Sequence, residues 1–238
     1  MNILYIDTAM NACCVGVYNA AQNIHIQREE HRMRGQAERL LPLIEDAMQD
    51  AQLTPKQLNM IGVTIGPGTF TGLRVGMATA RGLKLALSID VIGVTTLDVI
   101  IHAHMADAKA KGFKYCAALV ETKRSDYYLQ INDVITGEIL LPACALEGAE
   151  IIALCTEYQL AGQMMMVGDA IERLISEQGA VQDLSTHHLT CPDPKAGINL
   201  IQQHANMAKN KGDDEDIQPL YLRAADVSAA KVVRYIQE

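Results

Sequence analysis

The order of segments along this 238-residue chain predicts an α/β protein made of two similar halves. Three observations carry this. Three consecutive strand-like stretches open the chain, and three more follow a break near residue 110. Each set leads into helix–strand–helix alternation. A stretch rich in Ala, Lys and Gly, residues 108–112, separates the two sets.

The elements follow in order. NILYID (2–7) is a continuous apolar run ending in a carboxylate, as for a strand covered on both faces. ACCVGVY (12–18) and NIHIQREE (23–30) continue as strands, and the close links predict a meander. Asp7-Thr8-Ala9 lies in the first turn. Leu40, Leu41, Leu43, Ile44 and Met48 recur at helical spacing and predict a helix over 36–51. Thr54-Pro55 suits a helix start. A strand (60–65), a helix to residue 87, a strand (90–94) and a helix capped by Thr96 and running to 108 complete the half. The second half offers strands at 114–121, 127–131 and 138–142, a helix at 147–158, a strand at 164–168 and helices at 169–178 and 194–211. The β-β-β-α-β-α order occurs twice, a repeat of architecture rather than of residues. It predicts the duplicated fold of the actin, hexokinase and Hsp70 group (ASKHA), with two lobes of mixed sheet and flanking helices. We place the lobes at 1–110 and 111–238, with 217–238 returning to the first lobe.

Composition narrows the function classes. The net charge is -8 and Trp is absent, so little attracts or stacks on nucleic acid directly. No apolar run reaches the length of a membrane span, and no basic stretch opens the chain, so a cytoplasmic protein is expected. None of the six cysteines forms a C-x-x-C, and Cys13 and Cys14 point to opposite faces of a strand, so buried thiols are expected and no metal. His102-x-His104 has the wrong spacing for a helical metal pair, and His187-His188 before Cys191 reads as a surface loop. No G-x-S-x-G elbow is present.

The densest stretch is GPGTFTGLRVG, residues 66–76. It is not a phosphate-binding P-loop, since the glycine spacing is wrong and Leu73 stands where Lys is needed. Nor does it fit a dinucleotide fingerprint. In the following helix Gly72, Gly76, Thr79 and Ala80 share one side. Such a stripe lets another element approach closely, either this chain's own sheet or a helix of a partner, with Phe70 and Arg74 as anchors. Asp7 either caps its own turn or helps hold Mg-nucleotide. The corresponding turn of the second half, Glu121-Thr122-Lys123-Arg124-Ser125, is bulky and lacks glycine, which argues against an ordinary kinase.

GPGTFTGLRVGMATARGLKLA resembles the signature of the TsaB (YeaZ) family, GPGSFTGLRIG followed by A-x-GLA. ILYIDTA, AERLLPLIEDAM, VIGVTTLDVI and PLYLR (219–223) add to the likeness, while 143–215 contributes almost none. Thr69 stands where Ser is commoner, Gly35-Gln36 where a His often precedes the helix, and 121–128 lacks the usual Gly. The resemblance implies an ASKHA-like fold without catalytic apparatus. It implies a subunit that binds the TsaD-type enzyme and supports transfer of a threonylcarbamoyl group to adenosine 37 of tRNAs reading codons that begin with A. A TsaE-type ATPase joins the assembly, and tRNA is met only through the complex. ATP, with Mg, is used by the assembly and no cofactor is held by this subunit alone; a homodimer forms in isolation. The implied partner surface comprises Leu40, Leu41, Ile44, Phe70, Gly72, Arg74, Val75, Gly76, Thr79 and Ala80, and Asp7 with Thr8 is the implied nucleotide position. An ATP-dependent small-molecule kinase of the same fold is the alternative, and a metallopeptidase a further one.

Overall fold

A computed structural model describes residues 1–31, 35–157, 163–179, 185–208 and 217–222. The first sheet contains β1 (Ile3–Asp7), β2 (Ala12–Asn19), β3 (Ile24–His31), β4 (Met60–Thr64) and β5 (Asp90–Val94), in the order β3-β2-β1-β4-β5. The second contains β6 (Tyr115–Glu121), β7 (Asp126–Asp133), β8 (Ile139–Glu147), β9 (Met164–Gly168) and β10 (Ser185–His188), in the order β10-β9-β6-β7-β8. Read from either chain start, each sheet has its first strand in the middle, its second and third on one side and its fourth and fifth on the other. In both halves the first three strands are antiparallel and the last two run parallel to the first. This shared topology is the duplicated ASKHA architecture.

The helices are α1 (Gln36–Asp50), α2 (Phe70–Leu87), α3 (Thr96–Ala110), α4 (Gly148–Glu157), α5 (Ile171–Gln178) and α6 (Pro194–Ala208). Successive residues of a strand face opposite ways, so β1 serves two cores. Leu4 and Ile6 join Leu40, Ile44 and Met77 of α1 and α2. Ile3 and Tyr5 join Ile198 and Ile201 of α6 and Val99 of α3. The other face of α3, through Leu97, Ile100 and Ile101, packs against Cys116, Ala118 and Val120 of β6. The far face of the second sheet is covered by α4 and α5 around Ile151 and Leu174. The layers are therefore α1/α2, first sheet, α3/α6, second sheet, α4/α5.

Local corrections have physical causes. The cap of α3 is Thr95, not Thr96: the Asp98 amide donates to its Oγ1 at 3.0 Å, while Thr96 is buried. His187 and His188 lie in β10 rather than a loop; STHH has no apolar alternation because it is a largely exposed edge strand held by its ladder with β9. The return to the first lobe begins at α6. Ile217 also enters the first core, and the Leu220 amide donates to Ile65 O at 2.7 Å. The acidic run 213–216 lies outside the described residues.

Ile201 is fully buried between α6 and the first sheet. Ile201→Ala should cost about 2–5 kcal/mol in urea unfolding of the full chain; a loss below about 1 kcal/mol would contradict docking of α6 on this sheet.

Candidate functional site

The glycine-rich loop is seated on the turn between β1 and β2. After β4 the chain passes through Gly66, at φ +112°, and a cis Gly66–Pro67 bond. The Thr69 amide then donates to Ala9 O at 2.7 Å, and the Thr8 hydroxyl donates to Gly72 O at 2.7 Å. The backbones meet so closely that a Cβ at Gly68 would run into Ala9 O, and one at Gly72 into Thr8 O. A Cβ at Gly76 would lie 2.5 Å from Thr8 Oγ1. These glycines answer a packing demand within the chain.

That decides which face of α2 is free. Gly72, Gly76 and Ala80 are buried against β1, and Leu40 and Ile44 of α1 belong to the core, so these five of the expected partner residues face inward. An arginine at Gly76 would probe this packing rather than a surface. The other five remain on or near the outside. Leu41 is 51% exposed and Phe70 54%. Arg74 is exposed, and Val75 and Thr79 are half-buried. With Ala37, Thr71 and Ala78, which the sequence reading missed, they line an open groove of about 440 Å³ between α1 and α2. The Arg74 guanidinium sits 3.6 Å over the Phe70 ring, and Tyr221, 49% exposed, lies 5.9 Å from the same ring between centroids. Thr71 and Ala78 stand three residues before and four after Arg74, so the helical pattern held them; only the side of the helix was ambiguous. Tyr221 arrives from 148 residues further on in sequence order beyond the loop's Leu73, and no local signal marks it.

The turns that would hold phosphates in a nucleotide-binding relative are taken up by the chain itself. Asp7 is fully buried, its Oδ1 accepting from the Ala9 amide at 3.3 Å, and burial pushes its carboxyl up to about 6 against the pull of the Thr64 hydroxyl and the Ala9 amide. The Thr8 hydroxyl is committed to Gly72, and the loop covers the turn. In the second half the Lys123 amide donates to Glu121 Oε1 at 2.6 Å and the Arg124 amide to Thr122 Oγ1 at 3.1 Å. Glu121 is also paired with Arg173 at 3.0 Å. The Thr8 hydroxyl in the first turn and the Lys123 and Arg124 amides in the second are thus bonded within the chain, while Asp7 Oδ2 is buried without a hydrogen-bond partner. His104 Nδ1 lies 2.9 Å from Ile100 O and its ring 5.1 Å from that of His187; His102 is not part of that contact. Among the described residues the His/Cys/Asp/Glu group close enough to share an ion is elsewhere: Cys14, Glu29 and Cys191.

Asp169, after β9, accepts from the Glu121 amide at 2.9 Å, and burial raises its carboxyl to about 6 from 3.8. The folded state holds this proton more tightly than the unfolded chain. Its stabilising contribution is therefore complete below about pH 4 and lost as pH rises through about 6. Asp169→Asn keeps the acceptor and should raise stability at pH 8 by up to about 3 kcal/mol, with little change at pH 4, in urea titrations. An unchanged pH dependence would refute it. Gly72→Ala should cost about 3 kcal/mol or more, because the obstructing atom is backbone; a loss under about 1 kcal/mol would contradict the seating of the loop.

Comparison with known proteins agrees with this architecture. Residues 23–145, just over half the chain, match the family model described as TsaD: tRNA N6-adenosine threonylcarbamoyltransferase. Relatives named tRNA threonylcarbamoyladenosine biosynthesis protein TsaB include one from Buchnera aphidicola subsp. Baizongia pistaciae, 26% identical over 92% of this chain and 97% of that protein. Another, from Haemophilus influenzae, is 28% identical over 94% of each. Those of Buchnera aphidicola subsp. Schizaphis graminum and Escherichia coli are 34% and 38% identical over 41% of this chain, which spans less than half of either relative, 46% and 41%. The solved YeaZ from Pseudomonas aeruginosa shares the fold, with a TM-score of 0.73 and 22% identity over 93% of this chain and 99% of that one. From the glycine-rich loop, the duplicated sheets and the match of more than half its length to that model, the chain belongs to the TsaD family, and within it is similar to proteins named TsaB and YeaZ.

Proposed function

We propose that this chain is a non-catalytic subunit in tRNA threonylcarbamoyladenosine biosynthesis. It binds the catalytic TsaD-type subunit through the outer face of α1 and α2 and holds it in its active arrangement. The observation that carries this reading is the groove between the two helices. Leu41, Phe70 and Tyr221 leave about half their surface in water, and Arg74 is stacked over Phe70. Exposed apolar groups gathered round a groove are typical of association sites, and aromatic rings with arginine dominate binding energy there. Gly72, Gly76 and Ala80 serve the surface indirectly by setting how α2 lies on the sheet.

The non-catalytic part of the reading is supported by the two occupied turns, which leave no cradle for phosphates. The same observation weighs against the kinase alternative. The acidic balance of the chain supports tRNA contact through the assembly rather than directly. A homodimer through the same groove is the expected state of the subunit alone. The TsaE-type ATPase joins the assembled subunits, which use ATP and Mg. No described helix is long and apolar enough to cross a membrane, in keeping with a place in the cytoplasm.

The test is reconstitution of the TsaD-type subunit, TsaE-type ATPase, tRNA, ATP and threonylcarbamoyl-adenylate, with and without this chain. Modified adenosine should form only when the chain is present; equal product without it, or turnover by the chain alone, would sink the proposal. Ala78 is exposed in the groove, so Ala78→Arg should shift Tm by less than about 2 °C while weakening partner binding at least about 30-fold, or about 2 kcal/mol. Normal binding by a folded Ala78→Arg chain would move the interface elsewhere.

A further inference from the structure

Three side chains far apart in sequence meet on the α6 side of the first sheet. Cys14 on β2 and Glu29 on β3 are direct partners in the strand ladder. Cys191 lies between β10 of the second sheet and α6, which packs on the first. The two sulfurs and a Glu29 oxygen all lie within 4.8 Å of one another, and the Cys191 thiol donates to Glu29 Oε2 at 3.2 Å. Cys14 is buried, Cys191 half-buried and Glu29 exposed, so the group is open to solvent on one side.

We propose that Cys14, Glu29 and Cys191 bind one soft divalent cation, Zn²⁺ or a close analogue, that clamps the crossover between the two sheets to β2 and β3. Two thiolates and a carboxylate are a donor set suited to Zn²⁺, with water completing a tetrahedron. Zn–S bonds of about 2.3 Å at tetrahedral angles put two sulfurs roughly 3.8 Å apart, so the observed cluster closes round an ion with small side-chain movements. As the two Zn–S bonds form, both thiol protons leave to solvent; Glu29 exchanges its bond from Cys191 for one to the metal. Without metal the Cys14 thiol is held protonated, its titration pushed up by its contact with Cys191 and by burial.

Two further features suit the site. His31 Nε2 lies 3.0 Å from Glu29 Oε1, the free oxygen of the ligand carboxylate, and so holds its orientation from the second layer. Tyr5, fully buried and facing Asp7, Cys14, Cys191 and Asp193, has a hydroxyl with no hydrogen-bond partner, whose oxygen would accept from a metal-bound water. Sequence spacing could not reveal this group, because 162 residues separate Glu29 from Cys191.

The experiment titrates the full, chelator-treated and reduced chain with Co²⁺ and Zn²⁺ alone. One Co²⁺ per chain should bind with a thiolate-to-cobalt charge-transfer band and tetrahedral visible absorption, Zn²⁺ should displace it, and Zn²⁺ should raise Tm. Cys191→Ser, at a half-buried position that leaves the core intact, should abolish the band and the Tm response. Glu29→Gln should weaken binding, and His31→Ala should lower affinity about 10-fold. Cys144→Ser, on the second sheet, should bind as the parent does. No charge-transfer band from the reduced parent, binding undiminished in Cys191→Ser, or binding lost in Cys144→Ser would each overturn the proposal. A folded chain that binds no metal but joins Cys14 to Cys191 on addition of a small-molecule disulfide would overturn it too. None of these readouts depends on partner binding, so the outcome is independent of the function proposed above.

Discussion

The backbone of residues 68–72 rests directly on the turn after β1, with the Thr69 amide on Ala9 O and the Thr8 hydroxyl on Gly72 O. Most of what matters in the first lobe depends on that seat. It needs glycine at 68 and 72, because any side chain there would strike backbone. It fixes where α2 starts and how it is rotated, which puts Met77 and Ala80 into the core with Leu40 and Ile44 of α1. The remaining side of the helix, with Phe70, Arg74 and Ala78, is left to solvent. A glycine motif that looks suited to a ligand is thereby spent on shaping a surface. Two glycines within a helix cost about 1 kcal/mol each relative to Ala, and the close packing they permit offsets it.

The layer between the sheets is the second organising feature. Strand β1 is buried on both faces, so something must cover the face that α1 and α2 do not. The cover is α6, from the other end of the chain, together with part of α3. The segment Ile217–Tyr221 also returns, reaching β4, the carbonyl of Ile65 and the ring of Phe70. The first lobe is thus completed by residues that follow the second, and Phe70 of the proposed partner groove meets Tyr221 from that late segment. The cluster of Cys14, Glu29 and Cys191 sits where that crossing begins, so an ion there would act on the junction between lobes rather than on either alone.

Much of the fold was legible because periodicity reports burial. ILYI, ACCVGVY and MMMVG run without a charged residue, and each belongs to a strand with a neighbour on both sides. The repeated element order was enough to infer duplication. What misled was the face of α2. Gly72, Gly76 and Ala80 on one side and Ala78 and Gly82 on another are all small, and periodicity does not say which side meets the sheet. The deciding atoms are Thr8 O and Oγ1, more than 60 residues away. Strand β10 was missed for a related reason: an exposed edge strand is held by backbone bonds, which leave no pattern in side chains.

By itself, then, the sequence determined the class of fold, the position of nearly every element and the family whose signature residues 66–76 resemble, since these follow from local burial patterns and a contiguous motif. The tertiary structure alone decided which half of the expected surface residues reach solvent, that Tyr221 joins Phe70, that α6 completes the first lobe, and that two cysteines read as unrelated thiols share one site with Glu29. The physical reason is common to all four. Each depends on groups brought together across long stretches of chain, and the free energy that selects such meetings is the burial and hydrogen bonding of the folded whole rather than a preference written in any short segment.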